Sequence, residues 1–335
     1  MFKPKKNNNF EKDNEFKISN GVRQRIIKTI IINFPTNIGD AIISLPVLDK
    51  LRFNYPQAKI TAIVSPQTKS FLLENSFIDE VVEFDKSWKF QQKIKFVLDL
   101  RGKYDLIIDL KNSFLPVVLG TKQRSTFLRN FPKGTHVKDE YLRLVRKIAP
   151  NTTALIGNFN ISLEEKEKWD SLNIKQAIFI ACFSRSHLKT YTYEYLKKVV
   201  ETLSKRHKLV ILGLKKDSSF YKDILTMANV VDLTGQTSMN EVFYLLKNYA
   251  SLALCVDSSI MHAASYLNQP IVAIFGPTDP KRYGPWTKNK VILRRKELSC
   301  APCGRAQCDT NIECMCVSPK RVVEAVEKML YVGNG

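Results

Sequence analysis

Three segments of the chain place carboxylates, hydroxyls, a lysine and a histidine where an apolar run gives way to a helix-period stretch. The first is Asn37-Ile38-Gly39-Asp40, after IIKTIIINF (Ile26–Phe34). Gly39 permits a sharp turn there, and Asp40 then lies at the carboxyl edge of a sheet, where ligands of open α/β folds bind. Asp before an apolar run is also a favoured helix cap, so the ligand-site and capping readings both stand. The second segment is Asp257-Ser258-Ser259, with His262 one turn further on. Free backbone N–H groups, the positive end of a helix dipole and serine hydroxyls make an anion site. Capping, with His262 as a packing residue, is the plain alternative. The next strand ends in FGPTDP, a further polar turn on the same sheet edge, which favours a binding site. The third segment, CFSRSHLKTYTYEYL (Cys182–Leu196), offers Ser184, Arg185 and Lys189. A lysine acts as a point charge beside phosphate, which suits a diphosphate leaving group, although a lone loop lysine is more often only solvated.

These segments need a scaffold that repeats strand, turn and helix. Ile26–Phe34, Ala58–Ser65, Val81–Phe84 and Tyr104–Leu110 read as strands, with helices over Gly39–Tyr55 and Phe90–Leu100. A charged helical region, Lys138–Ile148, and a helix over Glu164–Leu172 lead into a second series. That series opens on the buried strand Ala177–Phe183 and closes in a helix begun by Ser318 with Pro319 at its first position. Alternation of this kind means βαβ units and parallel sheets. The expected class is therefore α/β, with two doubly wound domains joined near residues 155–170. Residues 1–22, rich in Lys and Asn, read as a disordered basic lead-in. An N-terminal domain follows over 23–160, a C-terminal domain over 161–317 and a closing helix over 318–335.

Composition narrows the function. The 335 residues carry 52 Lys+Arg against 32 Asp+Glu, a formal charge of +20 that attracts polyanions. Eight basic residues between Thr121 and Pro150, Arg124, Arg129 and Lys133 among them, face only Asp139 and Glu140, and in aggregate favour an acidic partner. No G-x-G-x-x-G, P-loop or H-E-x-x-H motif occurs, which argues against a dehydrogenase, a P-loop NTPase and a zinc hydrolase. Without a recognition-helix signature, zinc finger or RNP-like strand, no specific nucleic-acid partner is expected. Cys182 and Cys255 sit in apolar runs and read as small buried hydrophobes. Five further cysteines crowd into Cys300–Cys316. One C-x-x-C without a second pair or a nearby His is a weak zinc signature, so Cys300, Cys303, Cys308 and Cys314 read first as a packing loop and second as a structural metal site. No run reaches the roughly 18 apolar residues of a spanning helix, and no signal-type core follows the N-terminus, so a soluble cytoplasmic protein is expected.

NIGDAIISLPVLDKLRFNYP, the Ser184–Lys189 loop, DLTGQTSMNEVFYLL (Asp232–Leu246) and DSSIMHAASYLNQPIVAIFGPTDPKRYGPW together resemble the lipopolysaccharide heptosyltransferases of glycosyltransferase family 9. The similarity covers nearly the whole chain from about Arg25. Its specificity lies in pairing G-D-x-x-x-x-x-P near the start with D-S-x-x-x-H and F-G-P-T-D-P near the end. The C-x-x-C segment before a P-x-x-V helix also resembles many members. The resemblance implies a GT-B fold, two Rossmann-like domains whose parallel sheets face a central cleft. It implies inverting, metal-independent transfer from a nucleotide sugar, typically ADP-heptose, with no cofactor required. The acceptor it implies is the lipid A–Kdo inner core or a heptosyl extension of it, an acidic phosphorylated glycolipid, met peripherally at the inner face of the inner membrane. On matching positions, Asp40 is the proposed base, while Ser184 and Lys189, with Ser258 and Ser259, hold the donor diphosphate. Asp257 and His262 bind the donor, Thr237 and Met239 lie beside the nucleotide base, and Arg124, Arg129 and Lys133 are candidates for the acceptor. Ser259 departs from the glycine usual in the family, and its side chain restricts backbone approach to the phosphates. A relative using another nucleotide sugar, or one that binds a nucleotide or phospholipid without transferring sugar, is the alternative.

Overall fold

The structure, a computed structural model, describes residues 16–19, 22–121, 123–125, 132, 134–152, 155–218 and 222–333. It opens on an antiparallel ribbon, β1 (Phe16–Ser19) against β2 (Val22–Arg25), in which Ser19 pairs with Val22 and Phe16 with Arg25. The end of the segment expected to be disordered is thus a strand. Its alternating FKIS has strand period, which the Lys- and Asn-rich composition of the whole stretch outweighed in the reading. Residues 1–15 lie outside the described residues.

The first half then runs β3 (Thr29–Asn33), α1 (Ile38–Asn54), β4 (Lys59–Val64), α2 (Pro66–Leu73), β5 (Glu80–Glu83), α3 (Phe90–Leu100), β6 (Leu106–Asp109), α4 (Leu115–Val118), β7 (Gln123–Arg124) and α5 (Val137–Val145). Its strands form a parallel sheet in the order β5-β4-β3-β6-β7. The second half begins with α6 (Leu163–Asp170), β8 (Ala177–Ala181), α7 (Tyr193–Leu203), β9 (Leu209–Ile211), α8 (Lys215–Ser218), α9 (Lys222–Leu225) and β10 (Val230–Asp232). It continues through α10 (Met239–Tyr249), β11 (Ala250–Val256), α11 (Ser259–Tyr266), β12 (Ile271–Ile274), α12 (Pro280–Tyr283), β13 (Lys290–Leu293) and α13 (Pro319–Gly333). Its sheet, also parallel, has the order β10-β9-β8-β11-β12-β13.

Both sheets are covered on both faces, which is why their strands read as continuous apolar runs. Ile30 and Ile32 enter one core while Ile31, between them, enters another. In the second half Ala177, Phe179 and Ala181 face one core, and Ile178, Ile180 and Cys182 the other. Cys182 and Cys255 are fully buried, as expected of small hydrophobes. The core on the α1 side of the first sheet is continuous with the core on the α10–α11 side of the second. Across that seam Phe159 stacks on Phe243, with ring centroids 4.0 Å apart, and on Phe71 at 5.5 Å. The closing helix α13 packs on the second half, burying Val322 and Val326 beside α7 and the sheet.

In each sheet the strand order reverses once, between β3 and β6 in the first and between β8 and β11 in the second. Loops leaving the carboxyl ends of strands beside such a reversal splay apart and open a crevice. The Asp40 segment follows β3, the Ser184–Lys189 segment follows β8, and the Asp257–Ser259 segment follows β11. All three segments singled out for their chemistry therefore leave reversal strands.

Candidate active site

Helix α1 begins at Ile38 with Asn37 at its N-cap, so Asp40 lies inside the first turn and does not cap it. The capping reading fails for this residue. Its half-buried carboxylate accepts a hydrogen bond from Asn37 Nδ2 at 3.3 Å, and the helix dipole favours an acid in that turn. Gly39 is helical too, and the bend falls at Thr36 and Asn37 instead. A Cβ on Gly39 would meet His262 Cδ2 at 3.5 Å, an ordinary contact, which places this turn of α1 directly against an imidazole from the other half of the chain.

Asp257 is 7% exposed, with Oδ2 2.7 Å from Lys189 Nζ and Oδ1 3.5 Å from His262 Nε2. Burial pushes its pKa up, but the hydrogen bonds and charges of His262 and Lys189 outweigh that and hold the carboxyl at about 2. It is therefore an ionised tether. The His262 ring stacks on Trp286, centroids 5.9 Å apart and 16° from parallel, and its buried Nδ1 has no hydrogen-bond partner among the described residues. Ser258 does cap α11, its Oγ accepting from the Met261 N–H at 3.4 Å, which leaves its hydroxyl hydrogen to donate. Ser259 is the first residue of α11. A short 3₁₀ turn, His187–Lys189, delivers Lys189, and Met239 starts α10 just after its capping box Ser238–Glu241.

These residues converge on one cleft of about 610 Å³. The first half contributes Asp40 with Asn37, Ile38 and Gly39. From the second half come Ser184 and Lys189, Thr237 and Met239, and the run Asp257, Ser258, Ser259 with His262. Sequence reasoning missed Gly213, Asp217, Val242 and Tyr283, which also line it. A glycine immediately after the apolar run LVIL was the available signal: a Cβ on Gly213 would lie 2.8 Å from the Phe183 ring and 3.2 Å from Asp217 Oδ2. One wall of the cleft thus presents a carboxylate. The other presents an ammonium, serine hydroxyls and a helix N-terminus, a set suited to an anion.

Residues 94–312, well over half of the chain, match glycosyltransferase family 9 (heptosyltransferase). The chain belongs to that family. It is 26% identical over 331 residues to lipopolysaccharide heptosyltransferase 3 of Escherichia coli K12, covering 87% of this chain and 95% of that one. It is 25% identical over 317 residues to lipooligosaccharide heptosyltransferase 2 of Campylobacter jejuni strain 81116, covering 90% and 98%. In fold it is similar to E. coli ADP-heptose LPS heptosyltransferase II, at a TM-score of 0.73 and 21% identity over 92% of this chain and 100% of that one. It is likewise similar to the E. coli heptosyltransferase WaaC solved with ADP, at 0.67 and 16% over 90% and 99%. The protein is a glycosyltransferase with the GT-B fold, its two parallel sheets facing a central cleft.

Two groups singled out in this family 9 glycosyltransferase do not join the cleft among the described residues. Arg124, on the edge strand β7, is exposed and does not line the cleft, while Arg129 and Lys133 lie outside the described residues. Cys300, Cys303 and Cys308 are exposed, Cys314 is buried and Cys316 half-buried, all as free thiols. Among the described residues no group of three or more His, Cys, Asp or Glu is arranged to hold a metal ion. Cys314 and Met315 instead press on the turn after β12: a Cβ on Gly276 would lie 2.8 Å from Cys314 Sγ and 2.5 Å from Met315 Sδ.

Proposed function

We propose that this glycosyltransferase moves heptose from ADP-heptose to the lipopolysaccharide inner core, with inversion at the anomeric carbon and without a catalytic metal. The observation that carries the reading is that Asp40 and the Lys189–Asp257 pair line one cleft from opposite halves of the chain. Relatives named as heptosyltransferases of lipopolysaccharide and lipooligosaccharide support the sugar and the acceptor, and a relative solved with ADP supports the nucleotide. Residues 23–160 would then present the acceptor and residues 161–317 the donor.

In this mechanism Thr237 and Met239 flank the nucleotide base, and the diphosphate rests on Lys189, Ser184, Ser258 and Ser259 at the start of α11. Asp40 takes the proton of an acceptor hydroxyl as that oxygen attacks the anomeric carbon from the face opposite the phosphate. The bond from that carbon to the phosphate oxygen breaks, and negative charge grows on the leaving diphosphate. The ammonium, the hydroxyls and the helix dipole meet more charge there than in the ground state, which is the condition for lowering the barrier. Asp257 and His262 act one step back as positioning residues, Asp257 holding Lys189 in place. The acceptor's phosphates fall to the basic stretch before α5, represented among the described residues by Arg124. The acceptor itself is membrane-borne, and the enzyme meets it from the cytoplasmic side.

Incubation with ADP-heptose and lipid A–Kdo or heptosylated acceptors, read by mass spectrometry and by NMR of the new anomeric centre, tests this. A product one heptose heavier with inverted configuration is expected, unchanged by a chelator. Transfer only from a UDP-sugar, or none from a panel of ADP- and UDP-sugars, would contradict it.

A further inference from the structure

Helix α3 is apolar over more of its circumference than the sheet covers. Phe96, Val97 and Leu100 pack on Ile31, Ile63 and Ile107, burying one face. Phe90, Ile94 and Leu98 follow one another at i, i+4 and i+8, so they share a second face, and they are 77%, 42% and 60% exposed. Three large side chains in one exposed row make a contiguous patch, unlike scattered surface apolar residues. Helix α4 adjoins it, since the Gly102 N–H donates to the Leu119 carbonyl at 3.1 Å, and adds Val117 and Val118, 52% and 43% exposed.

The charge around the patch indicates what covers it. Between Phe84 and Tyr104 there are six Lys or Arg and two Asp. A two-fold contact with a second copy would set like charges against each other, so self-association is disfavoured. An anionic bilayer offers the opposite: acyl chains for the apolar row and acidic headgroups for lysines whose stems lie along the interface. Place in the fold agrees. Phe90 follows the carboxyl end of β5, the sheet edge on which the Asp40 segment also lies, and from there the row runs along α3 toward Gly102, where the end of α4 meets it. Lys86 and Lys111, from the loops after β5 and β6, stand close enough to interact electrostatically.

We propose that the exposed faces of α3 and α4 form the surface by which this protein docks on an anionic lipid bilayer, with the first sheet's carboxyl edge held toward the headgroups. The proposal rests on the reading of the acceptor as a membrane-borne glycolipid, and gives that reading an orientation. An acceptor anchored by its acyl chains then meets Asp40 without leaving the membrane.

Cosedimentation with vesicles of phosphatidylethanolamine and phosphatidylglycerol, against vesicles of phosphatidylcholine alone, tests it for the full chain and for Phe90→Asp with Leu98→Asp. Both positions are solvent-facing, so the melting temperature and ADP binding should stay as in the parent. The parent should partition onto the anionic vesicles in a salt-sensitive way, and the double variant should lose at least about tenfold of that partition. Its transfer to a deacylated, water-soluble acceptor should be unchanged. Equal partition of parent and variant would overturn the proposal. So would a parent that ignores lipid charge, or a parent dimer that the substitutions convert to monomer. Vesicle binding needs neither donor nor acceptor, so its failure is distinguishable from failure of the transfer reaction.

Discussion

Lys189 spends one of its N–H bonds on Asp257 at 2.7 Å, and an ammonium has two more for phosphate oxygens. A charge-assisted contact of this kind contributes about 1.5–3 kcal/mol, so Lys189→Ala should weaken ADP binding by roughly tenfold or more in calorimetry. Unchanged affinity would remove Lys189 from the diphosphate site. The lysine, the acids and the serines were legible because each stands a few residues after an apolar run, where α/β sheets open toward ligands. Their pairing was not. Lys189 and Asp257 are 68 positions apart, and only the adjacency of β8 and β11 brings them together. Gly39 shows the opposite limit: a glycine before an acid suggests a turn, but here it lies in a helix, beside His262 from another part of the chain.

Most strands were visible as β-branched runs because both faces of each sheet are covered. The edge strands β7 and β13 were not: β7 is two polar residues among polar flanks, and the apolar run of β13 is only three residues long. Helix α1 hid something more consequential. Asp49 is 4% exposed at the seam between the halves, and its Oδ1 accepts from Tyr266 Oη on α11 at 2.7 Å and from the Gly157 N–H at 3.1 Å. Burial, only partly offset by these two bonds, pushes its pKa up to about 7 from the ordinary 3.8. The folded state therefore holds this proton more tightly than the unfolded chain. Its contribution is most favourable below the ordinary aspartate range, declines as pH rises to about 7 and is constant above that. Asp49→Asn keeps an acceptor oxygen for both donors and removes the buried charge. It should raise the melting temperature at pH ~8, with the gain shrinking toward pH ~5, as scanning calorimetry at both values would show. An equal gain at both would mean that the carboxyl does not titrate across this seam.

The two halves are one packed body with a cleft cut into it. Besides the α1–α11 seam, Arg282 of α12 pairs with Glu140 of α5 at 2.9 Å. Close by, His136 Nε2 donates to the Gly284 carbonyl at 2.8 Å, its Nδ1 being taken by the Lys138 N–H at 3.0 Å. Contacts on both flanks hold the Asp40 wall against the Lys189 wall, as the proposed transfer needs for positioning an acceptor hydroxyl over a donor. The net charge of +20 favours an acidic partner but does not place it, because charge counts carry no geometry. If the cleft works as described, its two walls can be separated by one substitution. Asp40→Asn keeps the size and the Asn37 neighbour of the side chain while removing its capacity to take a proton. Transfer from ADP-heptose should fall by at least about a hundredfold in kcat, while calorimetric ADP affinity and the melting temperature stay as in the parent. Transfer that persists within about tenfold of the parent, or a loss of ADP binding equal to the loss of rate, would contradict the account.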